Sequence, residues 1–157
     1  RDRSVSRGLG DVYKRQNQNI DIRIKEACLL HHEKCDGTGY PFGLKSDHIP
    51  AVAKIIAIAD VYDAMTSARV YRGALCPFEV IDTMYKDAFT KFEPEYILPF
   101  LKNVASSYIN NDVRLSDGRI GKVVLINENA LSLPIVQCED EFIDLSKTRG
   151  LTVSAIL

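Results

Sequence analysis

Two adjacent histidines, His31 and His32, open the stretch His31-His32-Glu33-Lys34-Cys35-Asp36-Gly37-Thr38-Gly39-Tyr40-Pro41, and a carboxylate, Asp60, closes the apolar run IIAIAD downstream. Imidazole nitrogens and carboxylate oxygens are ligands for first-row divalent metals. Only one further histidine, His48, occurs in the chain, so this chemistry is concentrated in one place. Neighbouring residues on a helix project about 100° apart. The pair therefore suits two ions of a cluster, roughly 3.5–4 Å apart, better than one shared ion. A surface pair with a structural role is the plainer reading of the dipeptide alone.

Asp60 is the stronger clue, because an apolar run is a costly place to bury an unpaired carboxylate. Asp63 lies three residues on and adds like-charge repulsion. A bound cation relieves both problems; a helix cap or an arginine partner is the alternative, and an even one for Asp63. Cys35 could ligate a soft metal, but no second thiolate stands at ligand spacing. The segment Asp36, Gly37, Gly39, Tyr40, Pro41 has turn chemistry throughout, and the residue before a proline is pushed toward extended geometry. Tyr40 is thus expected on a rigid loop, placed to stack on or hydrogen-bond a ligand, although a packing tyrosine on a surface turn explains the spacing equally well. Arg69 and Arg72 form an i, i+3 pair whose guanidinium forks suit a phosphodiester beside a metal site. Alone, such a pair reads as a solvated face.

The elements that must position these groups follow from apolar spacing. A helix is predicted over 20–34, then a loop with Gly37, Gly39, Pro41 and Gly43. A second helix starts at Pro50 and runs through PAVAKIIAIADVYDAMTS; with Lys54 its only charge before Asp60, it should be apolar nearly all round and central. A third begins at Pro77 and a fourth at Pro94, the latter disturbed at Pro99. From about Asn110 the pattern alternates around Asp117-Gly118, which predicts a β-hairpin, and LPIVQC and EFIDL supply two more strands. The expected fold is mainly α, a partial helical bundle over 17–109, followed by a small antiparallel β module over 110–157. Residues 1–16 carry five basic and two acidic side chains without helical or strand period; they read as a non-native leader.

The chain has 157 residues, 46% hydrophobic and 26% charged, with a formal net charge of −1. That balance, without a basic stripe, argues against binding a nucleic acid polymer. No apolar run reaches membrane-spanning length. Cys28, Cys35, Cys76 and Cys138 show no CxxC pair, which fits a reducing cytoplasm.

HHEKCDGTGYPFGL followed by IIAIADVYDAMTSARVYR closely resembles the second half of the HD-GYP domain, a bacterial branch of the HD phosphohydrolases, over about residues 20–105. The resemblance implies a helical HD-type enzyme with two or three iron or manganese ions that hydrolyses cyclic di-GMP. It makes His31, His32 and Asp60 metal ligands and Tyr40 a nucleotide contact; it sets Arg69 and Arg72 on the phosphates. Ser46 stands where the family carries glycine. The His-Asp pair that names the superfamily, with its upstream Glu and His ligands, is missing, so the chain is expected to be the C-terminal half of the catalytic domain and inactive alone. The expected partners are a cyclic dinucleotide, an upstream sensor or receiver domain, and a second copy of the chain. Two alternatives stand beside this reading: an HD-type phosphohydrolase acting on another nucleotide or phosphoester, and a non-catalytic signalling module.

Overall fold

A computed structural model describes residues 20–67 and 74–157. The proposed leader, and the segment holding Arg69 and Arg72, lie outside the described residues. Helix α1 spans Ile22–Leu30 and is capped by Asp21, whose carboxylate accepts the Arg23 N–H at 2.9 Å. It stops four residues earlier than the periodicity predicts. Beyond Leu30 the bonds tighten, with the Glu33 N–H donating to the Leu30 carbonyl, as helix ends do when the last turn closes over three residues.

After the loop and a short 3-10 turn at Ser46–His48 comes α2, Ala51–Thr66. Pro77 and Pro94 each occupy the first turn of the next helices, α3 (Pro77–Asp87) and α4 (Pro94–Ser107), where a missing N–H costs nothing. Helix α4 continues through Pro99 rather than breaking there.

Five antiparallel strands follow: β1 (Asp112–Leu115), β2 (Ile120–Leu125), β3 (Ile135–Cys138), β4 (Glu141–Asp144) and β5 (Val153–Ile156), in the order β4-β3-β2-β1-β5. The β1–β2 turn is where Asp117-Gly118 predicts it, with Gly118 at φ +93° in the region that favours glycine. Strand β5 is absent from the sequence reading. It is four residues long and pairs with β1, Val113 opposite Ile156, across more than forty residues of chain, so no local signal marks it.

The chain divides into two compact units after Ala57. The first holds α1, the loop and the start of α2, with a small buried cluster of Leu30, Ile49 and Ala53. In the second, one continuous core joins Ile58 of α2, Phe78 and Met84 of α3, Leu101 of α4 and Val113, Val123 and Val153 of the sheet. The change from helix to strand near residue 110 is therefore a change of secondary structure within one unit. Amphipathic helices and a one-sided sheet each need an apolar partner, and here they supply each other.

Helix α2, read as apolar nearly all round and central, is covered on one side only among the described residues. Ala53, Ala57 and Ile58 are buried, but Val52, Ile55, Ile56, Ala59, Asp60 and Asp63 form an exposed stripe. Apolar composition measures the tendency to be buried, not the number of partners actually available.

Candidate functional site

His31 is the C-cap residue of α1. Its Nδ1 lies 2.9 Å from the Cys28 carbonyl and 3.2 Å from that of Ala27. Carbonyl oxygens only accept, so these contacts are hydrogen bonds in the tautomer with its proton on Nδ1, which leaves the lone pair of Nε2 free. A carbonyl holding the second nitrogen is the arrangement that orients metal-binding imidazoles and raises their basicity. The His32 ring stacks beside it with centroids 4.0 Å apart and a tilt of 41°. Because α1 ends at Leu30, the 100° helical step assumed for these two side chains does not govern them.

On its other side His32 meets Tyr40, with ring centroids 4.6 Å apart and a tilt of 30°. The loop carrying Tyr40 is stitched down at several points. Its N–H donates to the His32 carbonyl at 3.2 Å. The Asp36 carboxylate accepts both the N–H and the hydroxyl of Thr38, which holds its pKa below the ordinary carboxylate range. The main chains of Asp36 and Lys45 meet in an isolated antiparallel β-bridge across the loop. Gly37 has φ +83°. At Gly39 an added Cβ would lie 2.4 Å from the Lys34 nitrogen and 2.5 Å from the Glu33 Cα, so only glycine lets the two backbones meet.

Glu33, to which the sequence reading assigned no role, is buried at 4% exposure and accepts the Phe42 N–H at 2.6 Å and the Leu44 N–H at 2.8 Å. The available signal was an acidic residue wedged between a histidine pair and a glycine-rich loop. Tyr40 and Phe42, by contrast, expose 60% and 58% of their surface.

The structure thus gathers His31, His32 and Tyr40 around one loop. Asp60 is placed on α2 beyond the unit boundary, and it is exposed, which corrects the premise that its carboxylate is buried: it faces out with Ile56 and Asp63 on the open stripe. The carboxylate of Asp63 accepts the Ser67 hydroxyl at 3.2 Å. Cys35 is half-buried, and none of the four cysteines forms a disulfide. Among the described residues no three His, Cys, Asp or Glu side chains converge as a metal site. The two imidazoles have the chemistry of ligands and would form part of a larger set.

A family model for the HD domain matches residues 14–96. This chain belongs to the HD domain family. HD-domain phosphohydrolases are in general dependent on divalent metals, in keeping with the donor set at His31 and His32. Over 120 residues the chain is 37% identical to a cyclic di-GMP phosphodiesterase of Pseudomonas aeruginosa, covering 76% of this chain and 29% of that protein. It is 40% identical over 90 residues to a cyclic di-GMP phosphodiesterase response regulator of Xanthomonas campestris, 57% of this chain and 24% of the regulator. A 3'3'-cGAMP-specific phosphodiesterase of Vibrio cholerae is 42% identical over 65 residues, 41% of this chain and 14% of that enzyme. The chain therefore spans less than a third of the length of each of these HD-domain relatives. The resemblance to the HD-GYP branch stands with them. Among the described residues no helix is long and apolar enough to cross a membrane.

Proposed function

We propose that this chain is part of a metal-dependent phosphodiesterase that hydrolyses cyclic di-GMP. The observation that carries the reading is the pairing of an oriented imidazole, His31 with its Nδ1 tied to carbonyls, with an exposed tyrosine stacked against the adjoining His32. A metal ligand and a π-surface for a purine thus stand side by side on a rigid loop.

His31 and His32 would hold ions through ring nitrogens, and Asp60 would add a carboxylate oxygen. Two or three iron or manganese ions, when bound, supply an activated water and Lewis-acid charge at phosphorus. Tyr40 binds and orients the nucleotide. Arg69 and Arg72 clamp the phosphate oxygens bidentately and stabilise the charge that builds on them. The histidines and Asp60 act by ligation, not as nucleophiles.

A second cyclic dinucleotide is the favoured alternative substrate, because one matched relative is a 3'3'-cGAMP-specific enzyme. The response-regulator relative supports an upstream receiver domain as partner. The open stripe Val52, Ile55 and Ile56 on α2 supports a second copy of the chain as another. Four cysteines outside any disulfide fit the cytoplasm.

The test is hydrolysis of cyclic di-GMP and 3'3'-cGAMP by the full-length protein with manganese or ferrous iron. Arg69→Ala or Arg72→Ala should weaken transition-state binding by about 2–5 kcal/mol with metal content unchanged; loss of metal together with activity would instead assign the arginines to the fold. The 157-residue chain alone should bind little metal and show no turnover, since His31, His32 and Asp60 are too few ligands for a cluster with open positions. Stoichiometric metal with turnover would refute that.

A further inference from the structure

Among the described residues Glu33 is the one charged side chain that is buried. A carboxylate leaves water only where strong donors replace it. Here both donors are main-chain: Oε1 takes the Phe42 N–H at 2.6 Å, and Oε2 the Leu44 N–H at 2.8 Å. Each oxygen of the carboxylate thus takes a main-chain N–H of the loop.

The same short segment is gripped from the front as well. Gly39 lies directly on the Glu33 backbone, and the Tyr40 N–H meets the His32 carbonyl. Residues 39–44 are thus fastened to residues 32–34 on both sides of Pro41. What this fastening presents outward is two aromatic rings, Tyr40 and Phe42, each more than half exposed.

Leu44 turns toward the small cluster of Leu30, Ile49 and Ala53, but the clamp also holds the backbone of a stretch whose two aromatic rings stay in water. It removes the freedom the loop would otherwise lose on binding a ligand. We propose that Glu33 is a positioning residue for substrate recognition: it fixes the 42–44 backbone so that Tyr40, against His32, and Phe42 are held ready for the base faces of a purine dinucleotide. Phe42 is thereby assigned as a second stacking residue. The substrate part of this inference rests on the reading of the preceding subsection, whereas the clamp stands on its own geometry.

Glu33→Gln keeps size and shape but turns an amide NH2 toward one of the two N–H groups. In the full-length protein its metal content should match wild type and kcat should change little, while KM for cyclic di-GMP rises roughly tenfold, the scale of one hydrogen bond to a charged acceptor. Hydrogen exchange of the Phe42 and Leu44 amides should accelerate by a similar factor while the sheet amides keep their protection. Phe42→Leu should raise KM with the exchange pattern unchanged, which separates the ring from the clamp.

Faster exchange with an unaltered KM would overturn the positioning role, and loss of metal in Glu33→Gln would move Glu33 to the metal site. A wild-type protein that cleaves no cyclic dinucleotide would sink the substrate reading, and the exchange of Phe42 and Leu44 would then decide the clamp alone: unchanged rates in Glu33→Gln refute it.

Discussion

The loop between α1 and α2 and the sheet β1–β5 both hold a backbone still, by opposite means. In the sheet, buried and exposed residues alternate along β1 and β2, and Val113, Val123, Val136 and Val153 join the helices in one core. In the loop the apolar cluster is three residues, and the work falls to polar staples: Glu33 on two N–H groups, Asp36 on Thr38, and the Tyr40 N–H on the His32 carbonyl. Apolar burial is non-directional and tolerant, but it hides the side chains it uses. Hydrogen-bonded staples fix the backbone and leave His32, Tyr40 and Phe42 in solvent. The contrast separates a region held by apolar packing from one held by hydrogen bonds with its aromatic side chains in solvent.

The largest effect expected from that contrast is at Phe78, which is 1% exposed in the shared core. Phe78→Ala should cost about 3–5 kcal/mol. Helical and strand signals should be lost together in denaturant titration, because α3, α4 and the sheet share that core. Two well-separated transitions would break the picture of one unit after Ala57.

Next come the glycines that mark close approaches. Gly39→Ala puts a methyl into the backbone of Glu33 and Lys34, and Gly121→Ala puts one within 2.6 Å of Cys138 Sγ, the Gln137 carbonyl and Val136. Each should cost about 1–3 kcal/mol as overpacking. The damage should stay local: amide exchange should rise around residues 33–44 for the first and along β2–β3 for the second. Perturbation of the sheet by Gly39→Ala would contradict the division.

A smaller effect concerns the thiols. Burial raises the pKa of Cys76 and of Cys138, which lowers their thiolate fraction, whereas Cys28 is exposed on α1. Alkylation followed by mass spectrometry should therefore modify Cys28 first, with Cys76 and Cys138 reacting fully only after denaturation. Early labelling of Cys138 would mean that the sheet opens more readily than its core implies.

The smallest effect is acid sensitivity. Hydrogen bonds from Ser146 and Lys147 lower the pKa of Asp144, and those from Thr38 lower that of Asp36. A carboxyl whose folded pKa lies below its unfolded value binds fewer protons folded than unfolded. Its stabilisation is therefore present above the unfolded value, about pH 4, and is lost as the pH falls through the folded one. Asp36 is exposed and Asp144 half-buried at the surface, so solvent screening keeps the effect slight. The Thr38 and Ser146 amide shifts should titrate in that window, and Asp144→Asn should abolish the change at Ser146 while leaving Thr38 unaffected.

Much of the frame is legible in the linear chain because its signals are local. Pro77 and Pro94 mark helix starts, Asp117-Gly118 marks a hairpin, and alternation marks β1 and β2. The candidate site could be named from residue types only through the whole run of histidines, glycines and tyrosine, since the histidine dipeptide alone reads more plainly as a surface pair. Its premises were less secure. The apolar run around Asp60 suggested a buried carboxylate, yet the structure leaves that face of α2 open.

What the sequence determined by itself, then, is each element whose cause lies within about four residues: caps, turns, periodicities and the histidine–glycine motif that carries the family resemblance. Tertiary structure alone decided the rest. It paired β5 with β1, merged the helices and the sheet into one core, and buried Glu33 beneath the 42–44 backbone. Each of these depends on groups far apart in the chain, or on which atoms happen to surround a side chain, and neither is written in the spacing of residue types.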